Sequence, residues 1–291
     1  MVDRLRGGFY ITQQAKRISE VKVTDREPLL RVENLCRHFA RRGFGSGVTR
    51  AVDGISLRIE RGQTLALVGE SGCGKTTAAR TMIGLYPPTS GAVFLDGERI
   101  DRIPRAVRTR RLQMVFQDPA GSLNPRLPVG QSVAEPLVAH RWGDQKAIAG
   151  RVKELFTQVG LEGDAAKRFP HEFSGGQRQR IGIARAIALE PDLIFADEPT
   201  SALDVSIRVQ ILNLLTDIQQ RLGTSFLLVS HDLAVVRHYS QRVAVMLAGK
   251  IVEEGPTEAV LSNPAHPYTR KLLDAVPSFG AIAKPMLTQS P

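Results

Sequence analysis

Hydrophobic positions along the chain follow two kinds of repeat, and their succession predicts an α/β fold. In "AVDGISLRIERG" (51–62), Ile55, Leu57 and Ile59 alternate with polar residues, the period of a strand buried on one face. The next segment, "TLALVG" (64–69), is apolar without interruption, as expected of a strand covered on both faces. Short apolar runs recur at "AVFLDG", "LQMVFQ", "LIFAD" and "FLLVSH". Between the last two, Ile207, Ile211, Leu214, Leu215, Ile218 and Leu222 fall on one helical stripe that Gly223 ends. Strands alternating with helices predict a mainly parallel sheet with helical cover. "VAVMLAGKIVEEG" predicts a hairpin turning at residues 248–250.

The pattern weakens in three places. Residues 1–28 are polar and charged without a sustained period and read as a flexible extension. The block from about 119 to 172 lacks strand signals but carries helical patches such as "RVKELFTQVG", so it reads as a helical insertion. Residues 261–291 form a tail beyond the α/β pattern, which spans 29–260.

Within this frame, "GESGCGKT" (69–76) follows a buried strand and opens a helix, the setting a phosphate loop requires. Its glycines turn backbone N–H groups inward, and the helix N-terminus adds partial positive charge. Gly69, Glu70, Ser71, Gly72, Cys73, Gly74, Lys75, Thr76 and Thr77 are the candidate nucleotide-binding residues. Lys75 supplies a point charge for the β- and γ-phosphates, and the Thr76 hydroxyl suits Mg2+. Cys73 contributes backbone rather than a nucleophile.

"LIFADEPTSALD" places Asp197 and Glu198 at the end of a buried strand, where open parallel sheets bind ligands. Asp197 suits Mg2+ held through water, and Glu198 suits polarising an attacking water. "VSHD" brings His231 to the same edge as a γ-phosphate sensor. Gln117, ending "LQMVFQ", reaches that edge too and can touch Mg2+ or water.

"FSGGQRQRIGIARA" (173–186) contains no acid, thiol or histidine, yet Ser174, Gly175 and Gly176 sit where a helix N-cap belongs. Small residues there expose free N–H groups and make an anion site. The chain's own nucleotide already has a cradle at residues 69–76, so this helix is expected to face the nucleotide of a second subunit.

"GESGCGKT", "VFQDP", "FSGGQ", "LIFADEP", "SALD" and "SHD" occur in the order found in ATP-binding subunits of ABC transporters, which the chain resembles over roughly 29–260. The resemblance implies a P-loop NTPase core of ABC type: a mainly parallel sheet flanked by helices, an antiparallel β subdomain and an inserted helical subdomain. It implies a head-to-tail dimer in which Ser174, Gly175, Gly176, Gln177 and Asp204 of one subunit meet the ATP of the other. It also implies an aromatic residue stacked on adenine, for which Phe39 is the best match and Phe44 the second; Phe39 as plain core stays open. "FQDPAGSLNPR" and "NPAHPYTRKLLDAVP" further resemble the oligopeptide/dipeptide importer branch. That branch implies two integral membrane permease subunits, an extracytoplasmic solute-binding protein as indirect partner, and a second ATPase subunit, paralogous or identical. It also implies peripheral attachment to the cytoplasmic face of the inner membrane. Some branch members carry a C-terminal cysteine cluster for an iron–sulfur centre. Here no cysteine follows Cys73, and no such cluster is expected.

Composition adjusts this reading only modestly. A net charge of +10 allows an acidic partner, a membrane surface or nucleic acid, and keeps a soluble ABC ATPase acting on nucleic acid or ribosomes as the alternative. The 5% aromatic share, without Tyr or Phe interleaved among basic clusters, argues against nucleic acid. The basic run "ERIDRIPRAVRTRR" reads as a solvated face, with contact to an acidic partner or anionic lipid as the other option. No apolar run approaches the roughly 20 residues a membrane-spanning helix needs, and the start lacks the apolar centre of a signal peptide. The chain is therefore expected to be soluble and not exported. The two cysteines, Cys36 and Cys73, have no partners at metal-binding spacing in the sequence, and a reducing compartment fits.

Overall fold

The computed structural model describes residues 27–40, 47–118 and 121–275. The extension read at 1–28, the second adenine candidate Phe44 and the end of the tail fall largely or wholly outside these residues.

Two sheets organise the molecule. The smaller is antiparallel, with β1 (Leu30–Ala40), β2 (Val48–Ile59), β4 (Ser90–Leu95) and β5 (Glu98–Arg99) in the order β2-β1-β4-β5. The larger contains β3 (Thr64–Val68), β6 (Leu112–Val115), β7 (Leu193–Asp197), β8 (Ser225–Ser230), β9 (Arg242–Leu247) and β10 (Lys250–Pro256). Its order is β10-β9-β3-β8-β7-β6, parallel throughout except for the antiparallel edge strand β10. The β9–β10 hairpin turns through Ala248 and Gly249, both with positive φ, as a two-residue primed turn requires.

The uninterrupted apolar runs are explained by burial on both faces. In β8, Leu227 and Val229 join the core shared with the antiparallel sheet, while Phe226 and Leu228 join a core on the opposite face. β7 divides likewise, Leu193 and Phe195 to one side, Ile194 and Ala196 to the other. Helix α1 (Lys75–Met82) packs into the first core through Ala78, Ala79 and Met82.

Helices α3 (Val129–Ala139), α4 (Gln145–Gln158), α5 (Gly175–Ile187) and α6 (Val205–Leu222) build the second core. In α6 the sequence stripe is the packed face: Ile211, Leu214, Leu215 and Ile218 are buried, and Gly223 closes the helix at φ 66°. Between 121 and 172 the described residues hold two α-helices and two 3-10 turns and no strand. A third core joins β3 and β9 to α7 (Leu233–Tyr239), α8 (Thr257–Ser262) and α9 (Pro267–Asp274).

The basic run forms β5 and α2 (Arg105–Arg111), a helix with no buried residue. Arg111 is satisfied by Asp96 and by Asp192. No helix among the described residues is long and apolar enough to cross a membrane.

Candidate functional site

The phosphate loop leaves β3 at Val68 and enters α1 at Lys75 through a backbone only glycine accepts. Gly69, Gly72 and Gly74 have φ of 152°, 80° and 111°. A Cβ at Gly69 would lie 2.2 Å from the Met246 carbonyl oxygen, and one at Gly74 2.0 Å from that of Ala51. The loop therefore packs backbone against backbone. It wraps around Lys75, which is only 5% exposed and whose Nζ donates to the carbonyls of Gly69 at 2.8 Å and Glu70 at 2.9 Å. Burial raises the Cys73 thiol above its ordinary value, partly offset by the nearby Lys75 ammonium. That keeps it a neutral thiol, consistent with a backbone contribution.

Beside the loop, the Thr76 hydroxyl donates to Asp197 Oδ1 at 2.8 Å. Asp197 is 1% exposed, and its Oδ2 has no hydrogen-bond donor; the Arg80 guanidinium stands 4.0 Å away. Burial pushes this carboxyl above its usual range, against the pull of Thr76 and Arg80, while Glu198 pushes it further up. A buried carboxylate oxygen without a donor, next to a hydroxyl, fits a hard cation with oxygen ligands such as Mg2+.

The order β8-β7-β6 decides the rest. Three neighbouring parallel strands end side by side, and the residues just past their ends are His231, Glu198 and Gln117. Gln117 Nε2 donates to Glu198 Oε2 at 3.2 Å, and His231 Nδ1 lies 3.4 Å from Glu198 Oε1. Glu198 has φ 44°, a left-handed conformation unusual for a glutamate. Its N–H donates to the Val229 carbonyl at 3.0 Å, which fastens the turn to β8. Sequence spacing gave no sign of that backbone twist.

Ser174 is the N-cap of α5, and its hydroxyl accepts the Gln177 N–H at 3.3 Å while the Gln177 side chain accepts the Ser174 N–H at 3.0 Å. This reciprocal pair is a capping box. Ser174, Gly175 and Gln177 are exposed, and so is Asp204, the N-cap residue of α6. Gly176 is buried against Ile207 of α6. These residues do not hydrogen-bond to the phosphate loop of their own chain.

Phe39 lies on β1 with the Arg37 guanidinium 4.5 Å from its ring centroid and Tyr86 edge-on at 6.0 Å. The fold also brings together Cys36, His38 and Asp53, whose potential ligand atoms lie within 4.8 Å of one another. The Asp53 carboxylate there is already engaged by His38 at 3.3 Å and by Arg50 and Lys250 at 3.7 Å. Two fixed cations on the same carboxylate favour an ion-pair cluster over a metal site.

The family description "ABC transporter" matches residues 52–201, and "Oligopeptide/dipeptide transporter, C-terminal region" matches 252–290. The chain belongs to the ABC transporter family of ATP-binding proteins. It is 52% identical over 272 residues to a putative peptide import ATP-binding protein of Brucella abortus, a match covering 90% of this chain and 81% of the relative. It is 52% identical over 273 residues to the glutathione import ATP-binding protein GsiA of Escherichia coli, covering 91% of this chain but 44% of that longer protein. Among solved structures, it resembles the ATP-binding cassette MJ0796 in a dimeric post-hydrolysis state bound to ADP and Pi. That likeness has a TM-score of 0.70 at 29% identity and covers 78% of this chain and 98% of the other. Another is cbiO1 of Clostridium perfringens, part of the ABC transporter complex cbiONQ, with TM-score 0.71 and 29% identity over 81% of this chain and 92% of the other. In this ABC ATPase the glycine-rich loop and the strand-end carboxylates are joined through the Thr76–Asp197 hydrogen bond.

Proposed function

We propose that this ABC ATPase binds and hydrolyses ATP to energise an importer of peptides or similar small solutes, as one half of a head-to-tail ATPase dimer on the cytoplasmic face of the inner membrane. The contact row Gln117–Glu198–His231 beside the Thr76–Asp197 pair carries the reading. The import role is supported by the relatives and by the C-terminal segment shared with oligopeptide and dipeptide transporters. Residues 29–260 are read as the ATPase domain, with a helical subdomain at about 119–172, and 261–291 as the importer-type tail.

In this reading the N–H groups of residues 69–77 cradle the phosphates, Lys75 contributes positive charge, and Phe39 stacks on adenine. Thr76 and Asp197 would hold Mg2+, Asp197 through water, with Gln117 as a further ligand; the ion would offset charge on the phosphates. Glu198 takes the proton of a water whose oxygen attacks the γ-phosphorus as the bond to the β–γ bridging oxygen breaks, releasing ADP. Its side chain is oriented by the Gln117 amide on one oxygen and by His231 on the other. His231 also contacts the γ-phosphate.

Ser174, Gly175, Gly176, Gln177 and Asp204 then close over the partner subunit's ATP. Binding draws the two ATPase subunits together, hydrolysis releases them, and Gln117 links this cycle to the helical region that two permease subunits contact. An extracytoplasmic binding protein selects the solute.

The test is Glu198→Gln in the complete transporter. Turnover is expected to fall by about 10²- to 10⁴-fold, with ATP binding retained and the ATP-bound dimer trapped. Unchanged turnover removes Glu198 from this role.

A further inference from the structure

The "HPYT" stretch places a tyrosine against the phosphate loop from the far end of the chain. His266 caps α9, its Nδ1 accepting the Tyr268 N–H at 3.1 Å, and Pro267 fills the first turn. Glu253 on β10 fastens this turn. Its carboxylate accepts the N–H of Ala265 at 2.8 Å, the N–H of His266 at 3.1 Å and the Thr269 hydroxyl. Partial burial works against the Glu253 anion, yet these donors hold its carboxyl below the ordinary value. Thr269 and Tyr268 are 1% and 8% exposed. The start of α9 is therefore a fixed platform.

From that platform the Tyr268 hydroxyl accepts the Glu70 N–H at 3.0 Å, a bond spanning 198 residues. The Gly69 carbonyl accepts from Lys75 Nζ at 2.8 Å. These two atoms are opposite edges of one planar peptide unit. The C-terminal helix grips one edge and the loop lysine grips the other. Peptide planes beside glycine rotate with little steric hindrance, so the tyrosine bond fixes which way the Gly69 carbonyl faces.

We propose that Tyr268 is a positioning residue for the nucleotide, locking the Gly69–Glu70 peptide so that the phosphate loop and Lys75 are pre-organised for the triphosphate. The inference rests on residues 69–77 being the nucleotide site. Without the hydroxyl, the Glu70 N–H loses its acceptor and the peptide turns. The carbonyl that holds Lys75 then moves, and the loop must be reordered when phosphate binds, which weakens affinity. The linkage is reciprocal: bound nucleotide tightens the docking of α9.

Tyr268→Phe keeps the ring and removes the hydroxyl. Calorimetric titration of the full chain with MgADP is expected to give a Kd raised about tenfold. Hydrogen exchange at the Glu70 amide is expected to accelerate, while the melting temperature of the nucleotide-free protein drops by no more than about 3 °C. A purely structural role would lower the melting temperature and leave Kd alone. Glu253→Gln, which keeps Tyr268 but loosens the turn beneath it, should shift Kd the same way by a smaller factor. Lys75→Ala separates the two ideas. If it abolishes MgADP binding while both other variants bind within twofold of wild type, the role of Tyr268 is overturned. If Lys75→Ala binds normally, the nucleotide site itself has been misassigned and the inference falls with it.

Discussion

Two glycine-rich turns in this chain lead into helices, and they use glycine for opposite reasons. In the turn before α1, the internal fold leaves no alternative: Gly69 and Gly74 have φ of 152° and 111°, and a Cβ on either would collide with a backbone carbonyl. In the turn before α5, neither Gly175 nor Gly176 has positive φ. A Cβ at Gly175 would meet only Leu203 Cδ2, at an ordinary 3.6 Å. Gly176 is constrained within the chain by the Cγ2 methyl of Ile207, which an added Cβ would meet at 2.5 Å on a β-branched side chain stiff at χ1. The first turn is demanded by its own chain. The second is open at Gly175 and Ser174, where a partner's nucleotide would sit under the proposed function.

The sharpest test of this contrast pairs two substitutions. Gly74→Ala should abolish MgADP binding and cost about 2–4 kcal/mol of stability, because a Cβ is forced into the Ala51 carbonyl at a left-handed position; calorimetry and urea unfolding measure both. Gly175→Ala should leave the isolated chain folded and binding MgADP within about twofold, while ATP turnover of the assembled transporter falls at least about tenfold. Equal damage to MgADP binding in both variants would erase the distinction.

Ser174→Ala gives a finer measure. Losing the cap costs about 1 kcal/mol in chemical unfolding, and MgADP affinity of the isolated chain should not change. Its turnover in the assembly should drop if the hydroxyl meets the partner's phosphates.

The smallest effect concerns acid. Glu253 has a folded pKa below its ordinary 4.5, so the stability it contributes is present above that value and lost as pH falls below it. Asp197 runs the other way. Its folded pKa lies above the ordinary 3.8, so its burial cost is relieved as it takes a proton. Melting curves between about pH 3 and 6 should show a shallower acid decline in Glu253→Gln than in the wild type, a difference of a few degrees at most.

Much of the fold was legible because it is local. The unbroken apolar runs of β3, β7 and β8 read as strands since both faces are covered, and the α6 stripe read as a helix since one face is. Helix α3 was harder to read: Pro136 lies inside it, and its length depends on packing against α4 and α5. The positive φ at Glu198 left no trace in residue type; it falls where the chain leaves β7, just past the ladder bond from its N–H to Val229 on the neighbouring strand.

By itself, the sequence determined the elements, the phosphate loop and the motifs flanking the sheet, because each depends on side-chain period or on glycines a few residues apart. Which of these motifs touch was decided by strand order and tertiary packing. Gln117 and Glu198 meet across 81 residues because β6 pairs with β7, and His231 joins them because β8 pairs with β7 on the other side. Tyr268 reaches Glu70 only because β10 and α9 fold back beside β3 and β9. Such contacts follow from how whole faces are buried together, a property of the assembled layers that no short stretch of chain contains.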